Sequence, residues 1–450
     1  MIFKKCLYLF LLLIIGCSNI KSNYFDYEKK TKVENEQGDW LYDIEESNLL
    51  TAPYLNELLA SVIINNFELN LAILDIKKGE LNTKKKDDEQ GVQMNINVSS
   101  SHSKYLDHGD ESSGNYSTSF GLSYDVDFFG KKNIEDKLMS IDQELSFLDF
   151  LGLKNDITTL VINEYVSISS NKLKLDVYKR IKDIRIDILK IERERLDSGV
   201  SVGSEVLSAQ QSLDSAVAII ENIKEEIFNS VNRIEFFSGN TEFIDIIKIS
   251  EVDVINLPDV TFSDLPKFAG THHSVLGSML QIKSSELNFE LEEVAWYPQF
   301  SISGSIGTQG EKLREIFENP FGSMSSLLIF PVIEWHKRTT NMGLVNADLT
   351  TAHLNYENVI SSVVDVMNSS LINLYAAQRH YEISQIELST ARLTRYYSLN
   401  NYNAGFTSKY ADLLTEFDFL NSKLTEIDAQ YNLVTAKVEL CSALDYRGCL

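Results

Sequence analysis

Gln93-Met94-Asn95-Ile96-Asn97-Val98-Ser99 alternates apolar and polar residues without a break. That period of two puts Met94, Ile96 and Val98 on one face of a β-strand and the amides and hydroxyl on the other. Displaced by 206 residues, Gln299, Ser301, Ser303 and Ser305 alternate with Phe300, Ile302 and Ile306 in the same parity. A second strand follows the first, in which Phe120, Leu122, Tyr124, Val126 and Phe128 alternate with Ser119, Gly121, Ser123, Asp125 and Asp127. Leu328, Phe330 and Val332 form its expected counterpart in the second copy.

The displacement extends well beyond the strands. Tyr124-Asp125-Val126 falls on Phe330-Pro331-Val332, Lys131 on Lys337, and Asp197-Ser198-Gly199 on Asn403-Ala404-Gly405. Each copy reads as two strands, one very long helix, a glycine-marked turn and a second long helix. Strands of about ten residues with this alternation suit a tilted transmembrane strand, polar inside and apolar outside. A half-buried sheet in a soluble sandwich is the alternative, but the rest of the chain looks helical and polar, so no partner for the apolar face is evident. Four strands cannot close a barrel, and an open edge in lipid leaves backbone groups unpaired at several kcal/mol each. The chain is therefore expected to oligomerise through its strands, two, three or four copies giving eight, twelve or sixteen strands about a cyclic axis.

Between Lys131 and Ser198 there is no proline and one glycine, Gly152; between His336 and Ala404 there is again no proline and only Gly343. Helices of that length extend about 100 Å at 1.5 Å per residue. Leu173, Val177, Ile181, Ile184, Ile188 and Ile191 step by four and three, the spacing of a coiled-coil seam. The returning helix of the second copy carries Leu413, Phe417, Leu420, Leu424, Ile427, Tyr431, Val434, Val438 and Cys441; that of the first carries Leu213, Val217, Ile220, Ile227, Val231 and Ile234. Along these tracks the offset is 207, so the second copy has one extra residue between Gly405 and Leu413.

The amino terminus bears on compartment. Lys4 and Lys5 precede an apolar run that ends Ile14-Ile15-Gly16-Cys17, which resembles a bacterial lipoprotein signal spanning 1–16. The resemblance implies lipid on Cys17, whose acyl chains together anchor stably. An ordinary signal peptide with a chance cysteine is the other reading. No later stretch reads as a membrane-spanning helix of roughly 20 apolar residues. Net charge is −24 for the whole chain and −26 without Lys4 and Lys5, the opposite of the basic footprint that nucleic acid requires. Cys441 and Cys449 remain in an oxidising compartment where a disulfide between them is possible; they lack the Cys-x-x-Cys spacing of a redox pair.

The expected organisation is a lipidated segment 17–52, a first repeat 53–237, a linker 238–266, a second repeat 267–443 and a tail 444–450. Segments 18–52 and 238–266 are expected beside the helices midway along their length. His272 and His273 read as helix-start residues rather than ligands, and neither metal-ligand spacing, a Gly-x-Ser-x-Gly nor a phosphate loop appears. No cofactor is implied, and a lipoprotein enzyme finds no supporting constellation.

Tyr124-Asp125-Val126-Asp127-Phe128-Phe129-Gly130-Lys131, Tyr297-Pro298-Gln299-Phe300-Ser301 and Tyr402-Asn403-Ala404-Gly405-Phe406-Thr407-Ser408 resemble hallmarks of TolC-type outer-membrane efflux factors, in the lipoprotein branch often called NodT-like. The resemblance covers nearly the whole mature chain. It implies an α+β membrane protein in which three copies share a 12-stranded barrel and a tunnel of long helices crossing the periplasm. Substrates pass without chemistry, driven by an inner-membrane pump joined through a periplasmic adaptor. The adaptor docks near the helix turns at Gly199 and Gly405, with Ser408 beside the second.

The family narrows its tunnel with an acid six residues after the glycine. Glu205 fits in the first copy; Ala411 takes that place in the second, and the extra residue puts Asp412 on Glu205 instead. Three Asp412 residues would concentrate negative charge at a narrow mouth and favour cations. The plainer reading makes both acids helix amino-terminal residues satisfying the dipole. Trp335-His336 stands where the family usually has a glycine pair, which bears on the local strand-to-helix bend. The outer-membrane component of a type I protein secretion system is an alternative. A lipid-anchored periplasmic coiled-coil adaptor is another, though it leaves the duplicated strands unexplained.

Overall fold

The computed structural model describes residues 52–104, 112–239, 244–250, 257, 259–311, 320–331 and 335–445. Helix α1, Pro53–Asn65, starts on a proline whose missing N–H costs nothing in a first turn. Asn66 ends it and caps α2, Phe67–Gln90, its side chain accepting from Leu69 N at 3.0 Å. The chain then runs through β1, Gln93–Lys104, and β2, Ser112–Val126, into α3, Lys131–Asp197, and back through α4, Gly203–Phe237. A short helix α5, Leu265–Ala269, precedes the second copy: α6, His273–Val294, β3, Gln299–Gly310, β4, Pro320–Ile329, α7, Trp335–Asn403, and α8, Lys409–Leu444.

The four strands form one antiparallel sheet in the order β1-β2-β3-β4. Register joins the two copies into a single surface, because Met94 lies opposite Leu122, Leu122 opposite Gly304, and Phe120 opposite Ile306. One face therefore carries the apolar residues expected from sequence, and they are left uncovered: Met94 and Val98 are 69% and 68% exposed. The opposite face is laced by cross-strand hydroxyl pairs, Ser99 with Ser117 at 2.7 Å, Ser303 with Ser325 at 2.7 Å and Ser305 with Ser323 at 2.8 Å. Among the described residues β1 and β4 are the two edges. The sheet departs from expectation at β4, which ends at Ile329, so Phe330 lies just past the strand and Val332 outside the described residues.

Where β2 enters α3, Gly130 adopts φ 76°, a left-handed conformation that costs a glycine little. Asp127 then satisfies the exposed helix start, accepting from Lys131 N and Lys132 N at 2.9 Å each. His336, the position equivalent to Gly130, lies inside α7; residues 332–334, between it and β4, lie outside the described set.

Helices α3 and α7 contain 67 and 69 residues, so each runs about 100 Å. Val177, Ile181, Ile184 and Ile188 of α3 pack with Ala209 and Ala216 of α4 and with Leu413, Leu420, Leu424 and Ile427 of α8, so α3 is wedged between its own hairpin partner and the second hairpin. In α4 the seam passes through Ala216 and Ile223, while the expected Val217 is 42% exposed. The residues 360–377 of α7 hold only one charged side chain, Asp365. By length and composition α7 contains one window apolar enough to cross a bilayer, 28% of it buried, though serines and asparagines interrupt its apolar residues. Within that stretch Met367, Leu371 and Leu374 pack against Ala436, Leu440 and Leu444 at the carboxyl end of α8 and against Val260 and Leu265, so the described end of the linker covers α7 midway along its length. The segment 18–51 lies outside the described residues.

Candidate channel gate and adaptor tips

Both hairpin turns are built alike. Gly199 has φ 70° and Gly405 φ 79°. Val200 N donates to Arg195 O at 2.8 Å and Phe406 N to Asn401 O at 2.9 Å, the wrap that closes a helix on a left-handed residue. Neither glycine has a heavy atom within 4 Å of the place a Cβ would occupy, so backbone conformation rather than crowding selects glycine. Ser408 caps α8, its hydroxyl accepting from Ala411 N at 3.2 Å. Around these turns Val200, Val202 and Phe406 stand 68%, 59% and 82% exposed.

Asp412, four residues into α8, is buried. Its Oδ1 takes a charged contact from Arg395 Nη1 and accepts from Ser398 Oγ at 3.0 Å, both partners lying on α7. Arg395 Nη2 also donates to Glu416 Oε2 at 2.9 Å, and Glu416 Oε1 meets Arg180 Nη2 of α3 at 2.6 Å. Asp412 is therefore not a bare carboxylate facing solvent. It anchors a four-residue ion cluster joining the second hairpin to the first. Arg185 lies over the Phe417 ring at 3.9 Å, Lys409 reaches Asp187 at 3.5 Å, and Lys174 pairs with Asp428, so α3 and α8 are tied together along their shared length.

Glu205 is exposed at the start of α4 and accepts from Ser201 Oγ. Ser201 also lies 2.9 Å from buried Glu192, which pairs with Arg195 at 2.7 Å. Glu192 and Ser398 occupy equivalent positions 206 apart, so each copy connects its turn acid to the same place on the outgoing helix. Both connections reach the other hairpin: the second copy's through Glu416 to Arg180, the first copy's through Arg195, which lies 5.7 Å from the centre of the Tyr410 ring on α8. The arginines and Glu416 were missed in the sequence because their partners lie far along the chain. The visible clue was Asp412 and Glu416 four apart on one helical face, a like-charged pair that calls for a cation between them.

At the opposite end of α8, Asp445 has φ 49° and accepts from His273 N at 2.9 Å, with His273 Nδ1 3.1 Å from the same oxygen. His273 presses on Gly152 so closely that a Cβ there would lie 2.6 Å from its Nε2. His272 stacks on His273 and caps α6 through Ser274 N at 3.1 Å; burial first, then the neighbouring His273, lowers its pKa to about 4. The imidazole and carboxylate atoms of His272, His273 and Asp445 lie within 4.8 Å of one another, already engaged as a helix cap and an inter-helix clasp. Cys441 is buried in α8, while Cys449 and Cys17 lie outside the described residues.

The fold, with one strand pair and one long hairpin per repeat, is that of trimeric outer-membrane channels. It superposes on the open state of the Neisseria gonorrhoeae MtrE outer membrane channel with a TM-score of 0.77 at 16% identity, covering 90% of this chain and 91% of that one. The Campylobacter jejuni CmeC outer membrane channel gives 0.76 at 16% identity, covering 88% and 86%. The sequence pattern of outer membrane efflux proteins matches residues 58–240 and 269–445, and the chain belongs to that family. It is accordingly an outer-membrane transport duct and not an enzyme.

Two relatives align over most of their length. Toxin and drug export protein A of Aggregatibacter actinomycetemcomitans is 23% identical over 447 residues, 96% of this chain and 95% of its own. The cation efflux system protein CusC of Escherichia coli K12 is 21% identical over 411 residues, 86% and 85%.

Proposed function

We propose that three copies of this chain form the passive exit duct of a tripartite efflux system, docked through its hairpin turns to a periplasmic adaptor and driven by an inner-membrane pump. The observation that carries this reading is the pair of matched glycine turns at the end of the long coiled coil, with Val200, Val202 and Phe406 held out to solvent beside them. Apolar side chains gathered on a rigid tip and left uncovered suit a partner that buries them. A double variant, Val200→Asp with Phe406→Asp, tests this by adaptor co-purification after cross-linking in cells. Loss of the adaptor from an intact trimer supports the reading; undiminished capture removes it.

Within this reading, Asp412 and Glu205 narrow the tunnel near the tips, and Asp412 and Arg395 position Glu416 for its contact with Arg180 between the hairpins. Opening would separate α3 from α8 at Arg180 and Glu416. Lipid on Cys17 adds an anchor to the strands, which incorporation of labelled palmitate into the wild type and its absence from Cys17→Ala would establish. The kinship with a protein named for toxin and drug export favours a second reading, the outer-membrane component of a type I protein secretion system. The two part company on whether an exported polypeptide or a small molecule accumulates inside cells lacking the duct.

A further inference from the structure

In the closed barrel the face bearing Met94, Ile96 and Val98 meets lipid, and the opposite face lines the water-filled lumen. That inner face is built from hydroxyls, amides and glycines, as at Asn95, Ser119, Ser303 and Ser305, with one carboxylate, Asp125, opposite Ser301. Strand β4 breaks the rule at three places. By register Phe321 lies opposite Gly307, Leu327 opposite Ser301 and Ile329 opposite Gln299, all on the inner face, and the three are 38%, 56% and 50% exposed. The first copy has Asn115, Gly121 and Ser123 at the equivalent positions, so the duplication did not supply these side chains. Because β4 also carries Met324 and Leu328 on its outer face, it is apolar on both sides.

Packing between copies does not account for them. Closing the barrel pairs the β4 edge with the β1 edge of the next copy. The inner face of β1 presents Gln93, Asn95 and Asn97, which offer amides rather than an apolar cover. Phe321 and Leu327 are six residues apart, about 20 Å along an extended strand, so they sit at two levels, one near the outer end and one near the periplasmic end. Repeated around a threefold axis, they make two collars.

We propose that these collars are the contact surface for amphiphilic organic substrates, molecules with an alkyl or aromatic face on a water-soluble body. The proposal rests on the duct reading above and names its cargo class. Each collar removes part of the cargo's apolar face from water, while the serine wall between them hydrogen-bonds the polar body. Two weak sites in series let a molecule enter and leave, as conduction requires.

The test uses purified full-length trimer in planar bilayers, with tetramethylammonium and tetrabutylammonium added on the barrel side as blockers of potassium current. The wild type is expected to bind tetrabutylammonium more tightly. Leu327→Asn with Ile329→Asn, nearly isosteric, should weaken that block about tenfold, as should Phe321→Gln. Tetramethylammonium block, conductance and trimer heat stability should stay unchanged, and Ile329→Thr alone should give a smaller shift in the same direction. Unchanged tetrabutylammonium block, an equal shift for both ions, or loss of the trimer in all three variants overturns the collars. A wild type that carries no current overturns the duct reading instead.

Discussion

Arg180 of the first hairpin lies 2.6 Å from Glu416 of the second, and it is the partner in the ion cluster around Asp412 that comes from α3 rather than from the α7 and α8 hairpin itself. Arg395 holds the other oxygen of the same carboxylate from within the second hairpin. Glu416 is thus shared between a contact that must break for the hairpins to part and one that travels with it.

Arg180→Ala should raise the conductance of the trimer in planar bilayers several-fold while barely changing its melting temperature. The guanidinium is 52% exposed, and exposed pairs contribute about 0–1 kcal/mol. A conductance equal to wild type would mean that the closed state is held elsewhere.

Asp412→Ala should behave differently, because it leaves Arg395, with 19% of its side chain exposed, facing only Glu416. Removing one member of a buried ion pair costs about 3 kcal/mol or more, and pairing the change with Arg395→Met should recover part of the loss. Thermal unfolding of the single and double variants measures both. The same single variant should also weaken block by polyvalent cations.

Gly152→Ala places a methyl carbon 2.6 Å from His273 Nε2, and the clasp between α6, α8 and α3 has to shift to admit it. Overpacking of this kind costs about 1–3 kcal/mol. Denaturant midpoints compared at constant slope would show it.

Acid should loosen the same clasp. The pKa of His272 falls from 6.5 to about 4 in the folded chain, so between those values the unfolded chain binds the extra proton and stability drops as pH falls. Asp445 adds to the trend: burial works against its ionised form, but hydrogen bonds from His273 outweigh that and hold its pKa below the ordinary value. His272→Asn keeps an acceptor for the α6 cap and should flatten the decline of melting temperature between pH 6.5 and 4.

Ile96→Lys should cost about 2–4 kcal/mol near the bilayer midplane and block barrel assembly, whereas Ser303→Lys, on the other face, should assemble. Heat-modifiable migration of the trimer separates the two outcomes.

The strands and the α3 and α8 seams were legible because their apolar residues are large and strictly periodic, from Met94 to Val98 and from Val177 to Ile188. The α4 seam was misread at Val217 because Ala216, the residue that packs, is small and leaves little hydrophobic signal. In β4 the pattern is confounded by apolar residues on both faces from Leu327 to Ile329, so its end was set too late. Asp412 was found through its distance from Gly405, but its partner Arg395, and Arg180 beyond it on Glu416, are brought near only by tertiary packing.

The two open edges, β1 and β4, have a genetic consequence. Neither edge is satisfied until neighbouring copies supply the missing strands, so an allele that spoils one edge but still folds its helices enters the assembly and disables it. Co-expressed at equal level with the normal gene, such an allele should leave roughly one in eight closed trimers free of damaged chains, making a lesion on a single strand dominant.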